Sequence, residues 1–184
     1  IDWYNMVLIM DNGTSGDGSS NYTIYLDDIS TTPVLDFEPE YSDLTSFEGG
    51  VLSVVANPDT NGNTSSSVAK MIKGSGANYA GSKITIPAPF NINSATVTLK
   101  IWSPRVGLNL LMKFEDDVPW PNTAGSAEIT ATTTVANQWQ TLTFDHSGIS
   151  ENIDWYNMVL IMDNGTSGDG SENYTIYLDD ITIN

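Results

Sequence analysis

The stretch TVTLKIWSPRVGLNLLMKFE, residues 96–115, decides how this chain folds. In its first half Val97, Leu99 and Ile101 alternate with Thr98, Lys100 and Trp102. In its second half Leu108, Leu110, Met112 and Phe114 alternate with Asn109, Lys113 and Glu115, and Ser103-Pro104 marks a turn between the two. A period of two belongs to strands with one buried face, so the apolar set points into a core and Lys100, Trp102 and Lys113 point out. Residues 128–135 repeat the pattern, with Ile129, Ala131, Thr133 and Val135 inward. Further strands are expected at 34–38, 51–56, 67–73, 82–86, 139–144, 156–162 and 174–183. Turn-formers such as Asn57-Pro58-Asp59, Asn61-Gly62-Asn63 and Asp163-Asn164-Gly165 separate them. No segment carries a sustained 3.6-residue apolar stripe. The expectation is an all-β fold, a two-sheet antiparallel β-sandwich of jelly-roll type.

The chain also repeats itself. Residues 1–30 recur at 153–182 with 28 of 30 positions identical, the differences being Ser20/Glu172 and Ser30/Thr182. Identity at that level means recent duplication and predicts a tandem array with a period of 152 residues. Thr32-Pro33 punctuates the join. Residues 1–32 then read as the C-terminal hairpin of a preceding repeat, and 33–184 as one complete module. A sandwich has one place for that hairpin, so either the second copy docks on a neighbouring module by strand donation or swapping, or the sequence is a window cut across a covalent tandem array.

Composition excludes several classes of function. Six Lys and Arg against 23 Asp and Glu give a net charge of −17, which repels nucleic-acid backbones. With no cysteine there is no disulfide or thiolate site, and one histidine, His146, read as a loop residue, makes histidine catalysis a poor fit. No apolar run approaches the ~20 residues that cross a bilayer. The bases are segregated: residues 1–69 hold 11 acids, 70–113 hold all 6 bases, and 114–184 hold 12 acids. One reading is that basic central strands neutralise acidic terminal ones. The other is a positive groove built from Lys100, Lys113 and Arg105 that holds the sulfate or carboxylate groups of an anionic glycan.

The segments LDFEPE (35–40), SFEGGVLSVVANPDTNG (46–62), KITIPAPFNI (83–92), LKIWSPRVG (99–107), TTTVANQWQTLTFD (132–145) and IYLDDITI (176–183) resemble a repeated module of large secreted Bacteroidetes proteins. That module is a carbohydrate-binding-module-like β-sandwich. The resemblance covers 33–184 and implies a jelly roll with a structural calcium ion, a sugar-binding surface and an extracellular location. It implies a non-catalytic repeat that tethers a secreted multimodular protein to polysaccharide. The competing reading is a structural repeat of a filament or adhesin that self-associates head to tail with neighbouring repeats.

In such sandwiches the first and last strands supply calcium ligands, which here implies Glu38 and Asp179, with Asp36 and Asp180 beside them; calcium takes about 6–8 oxygen ligands. Strand parity turns Asp179 and Asp180 opposite ways, so one lies outside any site, and solvated edge acids are the alternative reading. The oxygen-rich loop 163–170, duplicated at 11–18, is a second calcium candidate, although it lacks EF-hand spacing and a mobile hairpin loop explains its composition as well. Sugar binding needs exposed rings, since a pyranose lays its apolar face flat on one. Trp120, between Pro119 and Pro121, and Tyr79, in a Gly-flanked loop, are candidates for ligand platforms or for loop packing, and Trp102 joins them by its outward parity. Trp139 and Trp155 read as core or core edge. Glu115, Asp116 and Asp117 are adjacent rather than facing across a cleft, and consecutive Asp145-His146-Ser147 cannot converge as a triad, so no catalysis is expected.

Overall fold

The computed structural model describes residues 15–18, 20, 23, 34–37, 43–90, 94–150 and 152–184. Residues 1–31 form one compact unit and 32–184 another.

The described residues of the second unit form eleven strands in chain order: β1 (Val34–Leu35), β2 (Leu44–Phe47), β3 (Gly50–Ala56), β4 (Ser67–Lys73), β5 (Gly81–Phe90), β6 (Ser94–Trp102), β7 (Asn109–Glu115), β8 (Ile129–Thr132), β9 (Trp139–Ser147), β10 (Trp155–Met162) and β11 (Thr175–Ile183). One sheet has the order β3-β4-β11-β6-β9, with β1 paired to β11, and the other β2-β5-β10-β7-β8. Every pairing is antiparallel. Successive strands mostly change sheets, which is the two-sheet antiparallel sandwich, of jelly-roll type, expected from the alternation.

The alternating residues do what their period requires. Val97, Leu99 and Ile101 from β6 meet Leu110, Met112 and Phe114 from β7 across the core, all fully buried. Burying such side chains stabilises the fold by ~1.5–3 kcal/mol each before chain entropy is subtracted. β10 is buried on both faces. Met158, Leu160 and Met162 enter the main core, while Val159 and Ile161 join Leu111 and Phe47 in a second cluster on the outside of the five-stranded sheet.

Two expectations need correction here. The segments at 156–162 and 174–183 are not a hairpin. β10 sits centrally in one sheet and β11 centrally in the other, so they bond to different neighbours. His146 is not a loop residue. β9 continues to Ser147, and the parity that buries Leu142 and Phe144 carries His146 into the core at 2 % exposure. Its ring meets Phe114 edge-on at 4.9 Å, and neither ring nitrogen has a hydrogen-bond partner.

Candidate functional site

The outside of the five-stranded sheet forms a groove. Strand registers set its floor. Across one row Thr45 stands opposite Lys83, Lys83 opposite Val159, and Val159 opposite Lys113. Two residues along, Phe47 is opposite Gly81, and Ile161 opposite Leu111. On the other side Thr85, Asn157 and Glu115 make a polar row. The floor is therefore an apolar strip beside a row carrying two ammonium groups, and then hydrogen-bonding groups. Gly81 is required for this: a Cβ there would lie 2.8 Å from Phe47 and 2.9 Å from Ile161. Without a side chain at 81, Phe47 crosses β5 to reach Ile161.

Two loops wall the groove. The loop 116–125 closes on itself, the Asp116 carboxylate accepting from the N–H groups of Val118 (3.2 Å) and Ala124 (3.0 Å). Trp120 stands near its tip with 86 % of its surface exposed. A tryptophan left that open forgoes most of the stabilisation its burial would give. The other wall is the loop 74–80, which carries Tyr79 at 50 % exposure. That loop is held by Lys73, whose buried ammonium donates to the carbonyls of Asn78 (2.8 Å), Met162 (2.6 Å) and Asp163 (3.2 Å). Burial pushes the Lys73 pKa down, with Asp163 opposing. Tyr79, Trp120, Lys83, Lys113, Phe47 and Val159 all line one cavity of ≈ 770 Å³. A recess of ≈ 490 Å³ adjoins it, shared by Trp120, Lys83, Lys113 and Asn157.

The structure brings Tyr79, Lys113 and Trp120 together but places Lys100 and Trp102 elsewhere. β6 and β7 lie in different sheets, so outward on one strand is the opposite side of the molecule from outward on the other. Lys100 is bonded to Asp180 at 2.7 Å. Trp102 sits against Tyr177, centroids 5.6 Å apart, edge to face. Arg105 pairs with Asp163, donates to the Asn173 carbonyl (3.1 Å) and lies over the Tyr174 ring. The groove of Lys100, Arg105 and Lys113 therefore does not form, whereas Lys100–Asp180 is the neutralisation of a terminal strand by a central one. Sequence reasoning does not find Lys83 and Phe47. The alternation of Lys83 and Thr85 with Ile84 and Ile86 marks Lys83 as outward, but nothing local says that it meets Lys113 across β10.

Among the acids expected to hold calcium, Asp179 is fully buried. The loop 57–66 folds over it, and Asn63 donates to its Oδ2 at 2.7 Å. Asn63 is fixed in turn by Asn57, which donates to the carbonyls of Asn63 and Ser65, both at 2.9 Å. Oδ1 of Asp179 has no hydrogen-bond partner of good geometry, although the Ser65 side chain and the Asp180 N–H favour the charged form nearby. Burial dominates and pushes the Asp179 carboxyl upward. A buried carboxylate oxygen without a donor fits a cation ligand, because an unpaired charge in a dry site is costly. Asp180 takes a positive φ of 47° at a break in the β11 register and turns outward to Lys100. Asp36 is exposed, and Glu38 lies outside the described residues. Among the described residues no three His, Cys, Asp or Glu side chains come together, so a calcium site here would draw on backbone or amide oxygens as well. In the loop 163–170, Asp163 accepts from Arg105 and from the Asn109 N–H (3.0 Å), and Asp169 accepts from the Ser171 N–H (2.8 Å). Both acids have partners in the fold.

No protein-family model and no curated protein matches the chain. Solved structures do. The CBM22-1–GH10 modules of Clostridium thermocellum xylanase 10B, complexed with xylohexaose, match 85 % of this chain at a TM-score of 0.58 and 11 % identity; the chain spans 29 % of that protein. The CBM22-2 xylan-binding domain of Paenibacillus barcinonensis Xyn10C matches over 82 % of this chain and 96 % of its own, at 0.55 and 15 %. The K1 cleaved adhesin domain of Porphyromonas gingivalis Lys-gingipain matches over 84 % and 98 %, at 0.54 and 16 %. The fold is that of carbohydrate-binding and adhesin β-sandwiches.

Proposed function

We propose that this chain is a non-catalytic carbohydrate-binding module of an extracellular, multimodular protein, and that it holds a polysaccharide in the groove between Tyr79 and Trp120. The observation that carries the reading is the 86 % exposed indole of Trp120 on the rim of the same groove as Tyr79. Rings held out on braced loops, above a floor that is half apolar and half hydrogen-bonding, suit a sugar's apolar face and hydroxyl edge. Likeness in fold to a xylan-binding domain supports this and makes xylan the first ligand to try. In affinity electrophoresis through polysaccharide gels, Trp120→Ala should weaken retention by about 1–3 kcal/mol, by analogy with base stacking on aromatics. Trp102→Phe, on the opposite sheet, should leave it unchanged. Retention unaffected by Trp120→Ala, or absent in the unaltered protein, would refute the assignment.

We also propose that Asp179, through Oδ1, and Glu38 hold a structural calcium ion, with oxygens of the loop 57–66 completing the set. The ion would supply the positive charge that the buried Asp179 lacks and tie the β3–β4 loop to β11. A second functional reading, a structural repeat that exchanges strands with its neighbours, is favoured by the duplication of 153–182. Those residues contribute β10 and β11, the central strands of both sheets. Dimers or fibres that persist without any glycan would favour it.

A further inference from the structure

We infer that Lys83 is the seat for an acidic substituent, a carboxylate or a sulfate ester, carried sparsely on an otherwise neutral polysaccharide. This rests on the groove reading above. The six bases divide sharply by what the fold does with them. Lys73 is enclosed by three carbonyls. Lys100, Arg105 and Lys113 are paired with Asp180, Asp163 and Glu115. Lys70 lies on the other sheet, opposite Ser53 and Tyr177. Lys83 alone stands on the groove floor with no ion-pair partner among the described residues. Its neighbours across the strands are Thr45 and Val159, neither of them charged.

Lys83 is a half-buried residue and, like Lys70 on the other sheet, has no ion-pair partner among the described residues, although acids outnumber bases almost four to one in this chain of net charge −17. The fold gains little from it, but a ligand would gain a charge-assisted hydrogen bond in a partly dry site. The wider field sets a limit on the ligand. Glu48, Glu115 and Glu128 border the same groove, so a densely charged polymer is repelled before it reaches Lys83. A neutral backbone can still stack on Tyr79 and Trp120 while an isolated acid group falls on Lys83. Lys113, two strands away and so ~10 Å off, is already neutralised by Glu115 at 3.0 Å and does not compete.

The test compares a xylan bearing uronic-acid side groups, the same polymer after carboxyl reduction, and a sparsely sulfated xylan. The unaltered protein should bind the uronic-acid polymer, the sulfated polymer or both about tenfold more tightly than the reduced one, the scale of one charge-assisted bond. Which acid form is preferred identifies the group. Lys83→Met should bind all three alike, at the level of the reduced polymer, and Lys83→Arg should keep the preference. Equal binding of all three by the unaltered protein, or a preference that survives Lys83→Met, overturns the inference while leaving the groove in place. Failure to retain any of the three overturns the groove reading and this inference with it.

Discussion

Replacing His146 by leucine should make the protein more stable, and increasingly so as the solution becomes acidic. His146 is buried in the core, and neither imidazole nitrogen has a hydrogen-bond partner. Each buried polar atom left unpaired costs about 1–3 kcal/mol, while the edge contact with Phe114 returns ~0.5–1.5 kcal/mol. Leucine has a similar volume and no polar atoms, so the expected gain near neutrality is about 1–2 kcal/mol. For a module of this size that raises Tm by roughly 2–8 °C. Burial pushes the His146 pKa below its usual 6.5, with Asp145 opposing. The unfolded chain therefore takes up the proton first as pH falls, and stability present above pH ~6.5 is lost below it, at up to 1.36 kcal/mol per pH unit. Leucine has no proton to bind, so the gap between the variant and the parent should widen from pH 7 to pH 5. Urea unfolding followed by tryptophan fluorescence at pH 5, 6 and 7, with calcium in fixed excess, measures it. A gap that stays constant or narrows, or a variant less stable at every pH, would refute the reasoning.

The packing and the proposed ion carry three other expected outcomes. Chelation by EDTA should lower Tm by roughly 5–11 °C, the effect of losing an ion present at a hundredfold excess over its Kd, and Asp179→Asn should abolish that difference; equal melting with and without EDTA would remove calcium from the proposal. Lys73→Met leaves the carbonyls of Asn78, Met162 and Asp163 without their shared donor and should cost about 2–4 kcal/mol, with amide exchange accelerated most in residues 74–80; unchanged protection there would refute the bracing of Tyr79. Gly81→Ala should cost about 1–3 kcal/mol, because the new methyl meets the Leu160 carbonyl at 2.5 Å as well as Phe47 and Ile161; a neutral effect in thermal melts would mean that Phe47 does not pack across β5.

The strands legible in the sequence are those whose two faces differ. Leu99 with Ile101, and Leu110 with Met112, announce a core side by alternation alone, and both pairs are fully buried. β2 is hidden because Leu44-Thr45-Ser46-Phe47 is four residues long with a partly buried residue at each end, which shows no period of two. The polarity of His146 suggests a loop, although Leu142 and Phe144 already set the parity that buries it. The positive groove fails for a different reason. Parity tells which side of its own sheet a residue takes, not which sheet the strand joins, and the β6–β7 connection changes sheets. Lys100 and Lys113 are close in sequence, agree in parity and still face opposite sides of the sandwich.

That failure also explains how the groove is assembled. Its floor takes Thr45, Lys83, Val159 and Lys113 from four strands whose sequence neighbours mostly lie in the other sheet. Its rings come from two loops that follow β4 and β7. Each component is ordinary in the sequence: an alternating lysine, a tryptophan between prolines, a tyrosine near glycines. The site exists only because β10 lies between β5 and β7, and β10 is the strand least able to advertise this, since burial on both faces erases its alternation. A continuous apolar run such as Met158 to Met162 is thus the mark of a strand covered on its outer side as well as its inner one. On the outer side Phe47 helps to cover Val159 and Ile161, which are left only 3 % and 6 % exposed, whereas the rings of Tyr79 and Trp120 stay open at 50 % and 86 %.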